Sequence, residues 1–150
     1  MSATGTTPVS DLYLEDETAW LELMSDAASR RDSTALDWQH LSEYLRDMSI
    51  RDRREVKNRL ALLLSHLLKW EHQPSRRSGS WKATILIQSQ ELADIAGSGV
   101  LRKHAETVLF DAYKRAVKFA SAETALPLSS FPTTCPYSLE DLFDIDLDDE

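Results

Sequence analysis

Between Val56 and Trp70 the chain places a leucine or another apolar residue at nearly every position that a helix can turn inward. At about 100° per residue, Val56, Leu60, Leu63, Leu64, Leu67 and Trp70 share one broad face, and Leu62 and Leu68 extend apolar character nearly all round. A helix of that kind has to be surrounded by others, so the pattern predicts a central helix running from about Ile50 to Glu71. Its most apolar run, Leu60 to Leu68, includes Ser65 and His66 and is far shorter than the roughly 20 residues that span a bilayer. No membrane span is expected.

The rest of the chain supplies the neighbours. A first helix is predicted near Asp16, with Trp20, Leu23, Met24 and Ala27 at helical spacing, and a second after Asp37, with Trp38, Leu41, Leu45 and Met48. Ser49 and Asp52 have the spacing of a capping box and predict a fresh start for the central helix. His72 to Ser80 reads as a loop, Ser80 caps a fourth helix carrying Trp81, Ile85, Leu92 and Ile95, and Gly97 and Gly99 end it. Leu101, Ala105, Val108, Ala112 and Phe119, widened by Leu109, Tyr113 and Ala116, mark a fifth helix that Pro127 terminates. Pro132 and Pro136 force an extended strap over Phe131–Tyr137, and Ser138 with Asp141 suggests a short terminal helix. The expected fold is all-α: a single-domain helical bundle of about five helices with an extended C-terminal strap. A disordered arm is expected over residues 1–10, the helical domain over 11–143 and an acidic tail over 144–150. A chain of 150 residues, 42% hydrophobic, is large enough for one such core.

The net charge of −8 conceals a polarity along the chain. Residues 1–45 hold two basic and nine acidic side chains, residues 46–82 ten basic and four acidic, and residues 140–150 seven acids and no base. Such patterning bears on partners, not on fold. The one cysteine, Cys135, forms no intramolecular disulfide, and the polar stretch from Met1 to Pro8 lacks the basic and apolar regions of a secretory signal. A cytoplasmic location is expected.

Familiar catalytic motifs are absent from the sequence. The chain has no glycine-rich phosphate loop, nucleophile elbow, Cys-x-x-Cys pair or zinc-protease helix, so no cofactor is expected. Of the four histidines, His40, His66, His72 and His104, the pair His66 and His72 stands about 120° apart on one helix, which disfavours a shared metal. Cys135 has no sequence-adjacent base and reads as a small buried hydrophobe. The more specific signal is a polar stripe: Arg59, Leu62, His66, Lys69 and Gln73 fall within about 80° beside the leucine face. Polar groups so close to a core need partners, either acids such as Glu43 and Asp47 or a ligand. Beside the stripe, cations interleave with Trp70 and Trp81 from Lys69 through Arg76, Arg77 and Lys82, a composition that can stack on bases and meet phosphates. Core packing explains both tryptophans equally.

These residues also carry a resemblance. Asp11-Leu12-Tyr13 followed by Trp20, then His66-Leu67-Leu68-Lys69-Trp70, Gln73-Pro74, Arg77, Ser80 and Trp81, and finally Glu123-Thr124, Leu126, Phe131-Pro132 and Cys135-Pro136-Tyr137 are similar to the domain of unknown function 29 family over about residues 11–143. The resemblance implies a helical domain of bacterial origin and no assigned activity. It places the family's distinctive side chains at Arg59, His66, Lys69, Trp70, Arg77 and Trp81.

The expected function is a non-catalytic cytoplasmic interaction or regulatory protein, with a protein partner or a second copy of the chain as the partner classes and no membrane. One rival is a nucleic-acid-associated protein using the basic 46–82 segment, disfavoured by the acidity of the whole chain. The other is an enzyme sited at the Arg59, His66 and Lys69 stripe, which requires a water-accessible cleft and a perturbed histidine.

Overall fold

The computed structural model describes residues 7–147. Six α-helices follow in order, α1 (Val9–Glu15), α2 (Glu17–Ser29), α3 (Trp38–His72), α4 (Gly79–Ala96), α5 (Gly99–Thr124) and α6 (Leu139–Phe143), with no strand among the described residues. The all-α class expected from periodicity is therefore the class observed. Within it the chain forms two compact units, residues 1–50 and 51–150.

The N-terminal unit contains α1, α2 and the first turns of α3. Asp16 both ends α1 and caps α2, its carboxylate accepting from the Ala19 amide at 3.2 Å. The α1 helix corrects the expected arm: Val9 and Ser10 already belong to it, and residues 1–6 lie outside the described residues. The reason is tertiary, because Tyr13 on α1 meets the Trp20 ring edge-on at 4.8 Å and so gives a short polar segment something to pack against. Trp20, Met24 and Ala27 are buried, as the spacing predicts, but Leu23 is exposed.

A second correction concerns α3. It runs unbroken for 35 residues, so the capping box expected at Ser49 does not form and the two predicted helices are one. No glycine or proline interrupts Trp38 to His72, and the residues around Ser49 are mostly good helix formers, so nothing drives the backbone out of helical geometry there. The stripe read through Trp38 and Leu45 faces solvent, and Tyr44 and His40 pack against the aromatic rings instead.

In the C-terminal unit, Val56, Leu60, Leu63, Leu64, Leu67 and Leu68 are buried as the sequence predicts, and each such leucine contributes about 1.5–3 kcal/mol by leaving water. On α5, Ala105, Ala112, Ala116 and Ala120 are all fully buried in the same core. Phe119, expected on that face, is exposed. Helix α4 starts at Gly79, capped by Ser78 and not by Ser80, with the Trp81 amide donating to Ser78 Oγ at 3.2 Å. Between α4 and α5 the chain reverses at Gly97 and Gly99. A Cβ at Gly97 would lie 2.4 Å from the Ala93 carbonyl oxygen, and Gly99 has φ +73°, a left-handed conformation that only glycine adopts without strain.

The strap is as expected: Phe131 is buried, Cys135 and Tyr137 pack on the core, and the Tyr113 hydroxyl donates to the Pro132 carbonyl at 2.6 Å. Ser138 and Asp141 form a capping box that starts α6, which Ser89 pins by donating to the Leu142 carbonyl at 2.6 Å. Of the expected acidic tail, Ile145 and Leu147 pack against the core, while residues 148–150 lie outside the described residues.

Candidate functional site

The stripe on α3 separates into three groups. Arg59, nearest the start, donates to Glu55 Oε1 at 2.8 Å and to Gln88 Oε1 on α4 at 3.0 Å. One helical turn beyond Leu62 stands His66, whose ring Nδ1 lies 3.0 Å from the Leu62 carbonyl of its own helix. A carbonyl only accepts, so Nδ1 carries the hydrogen. Burial holds the His66 pKa below the ordinary imidazole value; the hydrogen bond to Leu62 works against this, and the Lys69 charge reinforces it.

Lys69 is the centre of the third group. Only 3% of it is exposed, and its ammonium lies 2.5 Å from Glu123 Oε2 and 5.1 Å from the centre of the Trp81 ring. Glu123 is on the last turn of α5 and remains well solvated, so one partner of the pair is desolvated and the other is not. Next to it, Gln73 Nε2 donates to the Thr124 carbonyl at 3.3 Å. That carbonyl is one of the four left without an intrahelical donor where α5 ends, with Ala125 in left-handed conformation as the cap. Lys69 and Gln73 thus clamp the C-terminal end of α5, where a cation also suits the negative pole of the helix.

The adjacent pair does the same for α3 itself. Arg77 Nε donates to the Trp70 carbonyl at 2.8 Å, and its guanidinium carbon sits 4.7 Å from the Trp70 ring centre. The predicted residues Lys69 and Trp81 therefore come together, Trp70 and Arg77 come together, His66 bonds its own helix while feeling the charges of Lys69 and Glu123, and Arg59 joins neither group. The acids expected as partners, Glu43 and Asp47, do not supply them; Glu55 and Glu123 do. Spacing alone could not have found Glu123, because it is 54 residues from Lys69.

Sequence reasoning missed a polar knot in the N-terminal unit. Asp37 Oδ2 accepts from the Trp20 indole at 3.1 Å and lies 2.7 Å from His40 Nδ1, while the His40 ring stacks on Tyr13 with centroids 4.4 Å apart. Burial alone would raise the Asp37 pKa, but the hydrogen bonds from His40 and Trp20 hold it below the usual carboxylate range. The i,i+3 spacing of Asp37 and His40 was the available signal.

Two of the cavities that open in the C-terminal unit are large, and both lie away from Lys69. One, of about 410 Å³, is lined by Arg51, Arg54, Glu55, Asn58, Arg59, Leu62 and Gln88. The other, also about 410 Å³, is a mostly apolar groove between α5 and the strap, formed by Tyr113, Val117, Leu128, Phe131 and Pro132 with Lys114 and Lys118 beside them. Burial pushes the Cys135 thiol pKa up, which disfavours the thiolate, and its sulfur lies 3.4 Å from the Tyr137 carbonyl. No group of three or more metal-ligating side chains gathers among the described residues, and no helix among them is long and apolar enough to cross a membrane.

No curated protein and no solved structure matches the chain. A family model does, over residues 12–147, and it takes in the N-terminal knot, the Lys69 clamp and the strap alike. The chain belongs to the family described as domain of unknown function DUF29.

Proposed function

We propose that this DUF29 protein is a non-catalytic binding protein of the bacterial cytoplasm, which receives an acidic, apolar segment of a protein partner in the groove between α5 and the strap. One observation carries the reading: the cations Arg59, Lys69 and Arg77 that the sequence offers for chemistry are engaged within the fold, while an apolar groove is left open. Arg59 holds Glu55 and Gln88, Lys69 holds Glu123, and Arg77 holds the end of α3. The groove, by contrast, has exposed Leu128 at its rim and two lysines, Lys114 and Lys118, in a chain of net charge −8. That combination favours an occupant with apolar anchors and carboxylates. A single cysteine supports the reducing compartment.

The test is site-specific photocrosslinking in the native cell, with a benzophenone amino acid at Leu128 and, as a control, at Ile87 on α4. A discrete adduct at Leu128 that disappears in the Lys114→Glu, Lys118→Glu variant is expected. Adducts of equal yield from both positions, or none from Leu128, would overturn the proposal.

A further inference from the structure

The cavity on the α3–α4 side has a chemistry of its own. Arg51, Arg54, Glu55, Asn58 and Leu62 recur at spacings of three and four, so they form one stripe of α3, with Leu62 as an apolar floor that is 39% exposed. Glu55 is the one acid in the lining, and Arg59 neutralises it. Among the described residues, neither Arg51 nor Arg54 has an ion-pair partner; both are exposed.

The two carboxamides sharpen the picture. Gln88 Oε1 accepts from Arg59, and Asn58 Oδ1 accepts from Arg115 Nη1 on α5 at 2.8 Å. A guanidinium donates and never accepts, so in each amide the oxygen is the atom held and the NH₂ group is the one left to donate. Apart from the paired Glu55 carboxylate, the side chains of the lining offer hydrogen-bond donors and no unengaged acceptor. A cleft of donors and positive charge over an apolar floor, in a molecule of net charge −8, selects an anion strongly.

Its size narrows the class. A cavity of about 410 Å³ falls in the range of small-molecule sites and exceeds what a bare phosphate fills. We infer that this cleft is a phosphate-ester site, in which Arg51 and Arg54 take the phosphate and Leu62, with the amide donors of Asn58 and Gln88, receives the attached nucleoside. The nucleoside phosphate comes from a free nucleotide or from a single nucleic-acid strand, which present the same group. The site is distinct from the groove at the strap and does not depend on it.

Fluorescence and calorimetric titration of the full chain with ATP and with a fluorescein-labelled single-stranded oligouridylate tests this. The Arg51→Ala, Arg54→Ala variant should bind about tenfold or more weakly, since both side chains are exposed and circular dichroism should show an intact fold. Lys103→Ala, which removes an exposed positive charge of α5 that lines neither this cleft nor the groove, should bind as the parent does. Tight ATP binding that the oligonucleotide does not exceed assigns the site to a free nucleotide. Tighter oligonucleotide binding, with a salt slope that falls by about two in the double arginine variant, assigns it to a strand. No binding of either probe at millimolar concentration, or equal loss in the arginine and lysine variants, would overturn the inference.

Discussion

The two units of this protein solve the same problem of holding helices together with different means. In the N-terminal unit the buried apolar residues among those described are Trp20, Met24 and Ala27; the Asp37 carboxylate ties the Trp20 indole to His40, and the Asp37 backbone amide donates to Met24 Sδ. The C-terminal unit buries a broad aliphatic surface from α3, α4, α5 and α6, and its polar clamps sit at helix ends. A small unit has too little interior to stand on burial alone and concentrates its stability in a few bonds, whereas a larger one distributes it. The first should therefore fail by losing a hydrogen bond or a charge, and the second by acquiring a cavity.

The largest effect expected from breaking this contrast is in the C-terminal core. Leu64→Ala should cost about 2–5 kcal/mol in equilibrium urea unfolding, because the fully buried side chain leaves a cavity among other leucines and alanines. A loss under about 1 kcal/mol would mean that the core is not centred on α3.

Next comes Asp37→Ala. It leaves the Trp20 indole and the His40 ring without their acceptor and should cost about 1–3 kcal/mol. Hydrogen exchange locates the damage: amides of α2 should lose protection while those of Val56 to Lys69 keep theirs. Equal loss in both segments would erase the distinction between the units.

Smaller changes are expected at the Lys69 clamp. Glu123→Gln should cost about 1 kcal/mol, because the carboxylate is largely exposed while the ammonium is not. Lys69→Met should be near neutral or stabilising, since a buried charge is exchanged for an apolar chain of similar length. If Lys69→Met instead destabilises by more than about 2 kcal/mol, the clamp is a main support of the fold and not a local tie.

The smallest effect expected is that of acid on the two units. The folded pKa of Asp37 is depressed, so its contribution is complete above the ordinary carboxylate range and is lost as pH falls through the folded value. The His66 pKa is also depressed, by burial, so the fold favours its neutral form and that contribution fades as pH falls below the ordinary imidazole value, about 6.5. Protection of α2 should thus persist at pH 5 and fall below about pH 4, whereas the His66-linked loss begins earlier and vanishes in His66→Gln. Identical pH profiles for α2 and for the middle of α3 would contradict both assignments.

Much of the fold was legible because periodicity records burial directly. The leucine face of α3, the helix start at Asp16, the break at Gly97 and Gly99 after α4 and the short helix after Ser138 were each visible in a few adjacent residues. The readings that failed did so where a local signal competed with a distant partner. Ser49 and Asp52 have the spacing of a cap but sit inside a helix that nothing interrupts, and Ser10 looks like a disordered arm until Tyr13 finds Trp20. In the candidate site the residues on α3 were recognisable, while the partners of Lys69, Gln73 and Arg59 were not.

The sequence by itself determined the helical class, the central position of the leucine-rich segment and the strap after α5, because hydrophobic spacing, glycine and proline act over one or two turns. Only the tertiary structure decided that Lys69 meets Glu123, that Asp37 unites Trp20 with His40, and that Asn58 and Gln88, their amide oxygens held by Arg115 and Arg59, line one cleft with Arg51 and Arg54. The physical reason is that a charge or a hydrogen-bonding group is satisfied by whichever partner packing brings within about 3 Å, and no local pattern encodes which one that is.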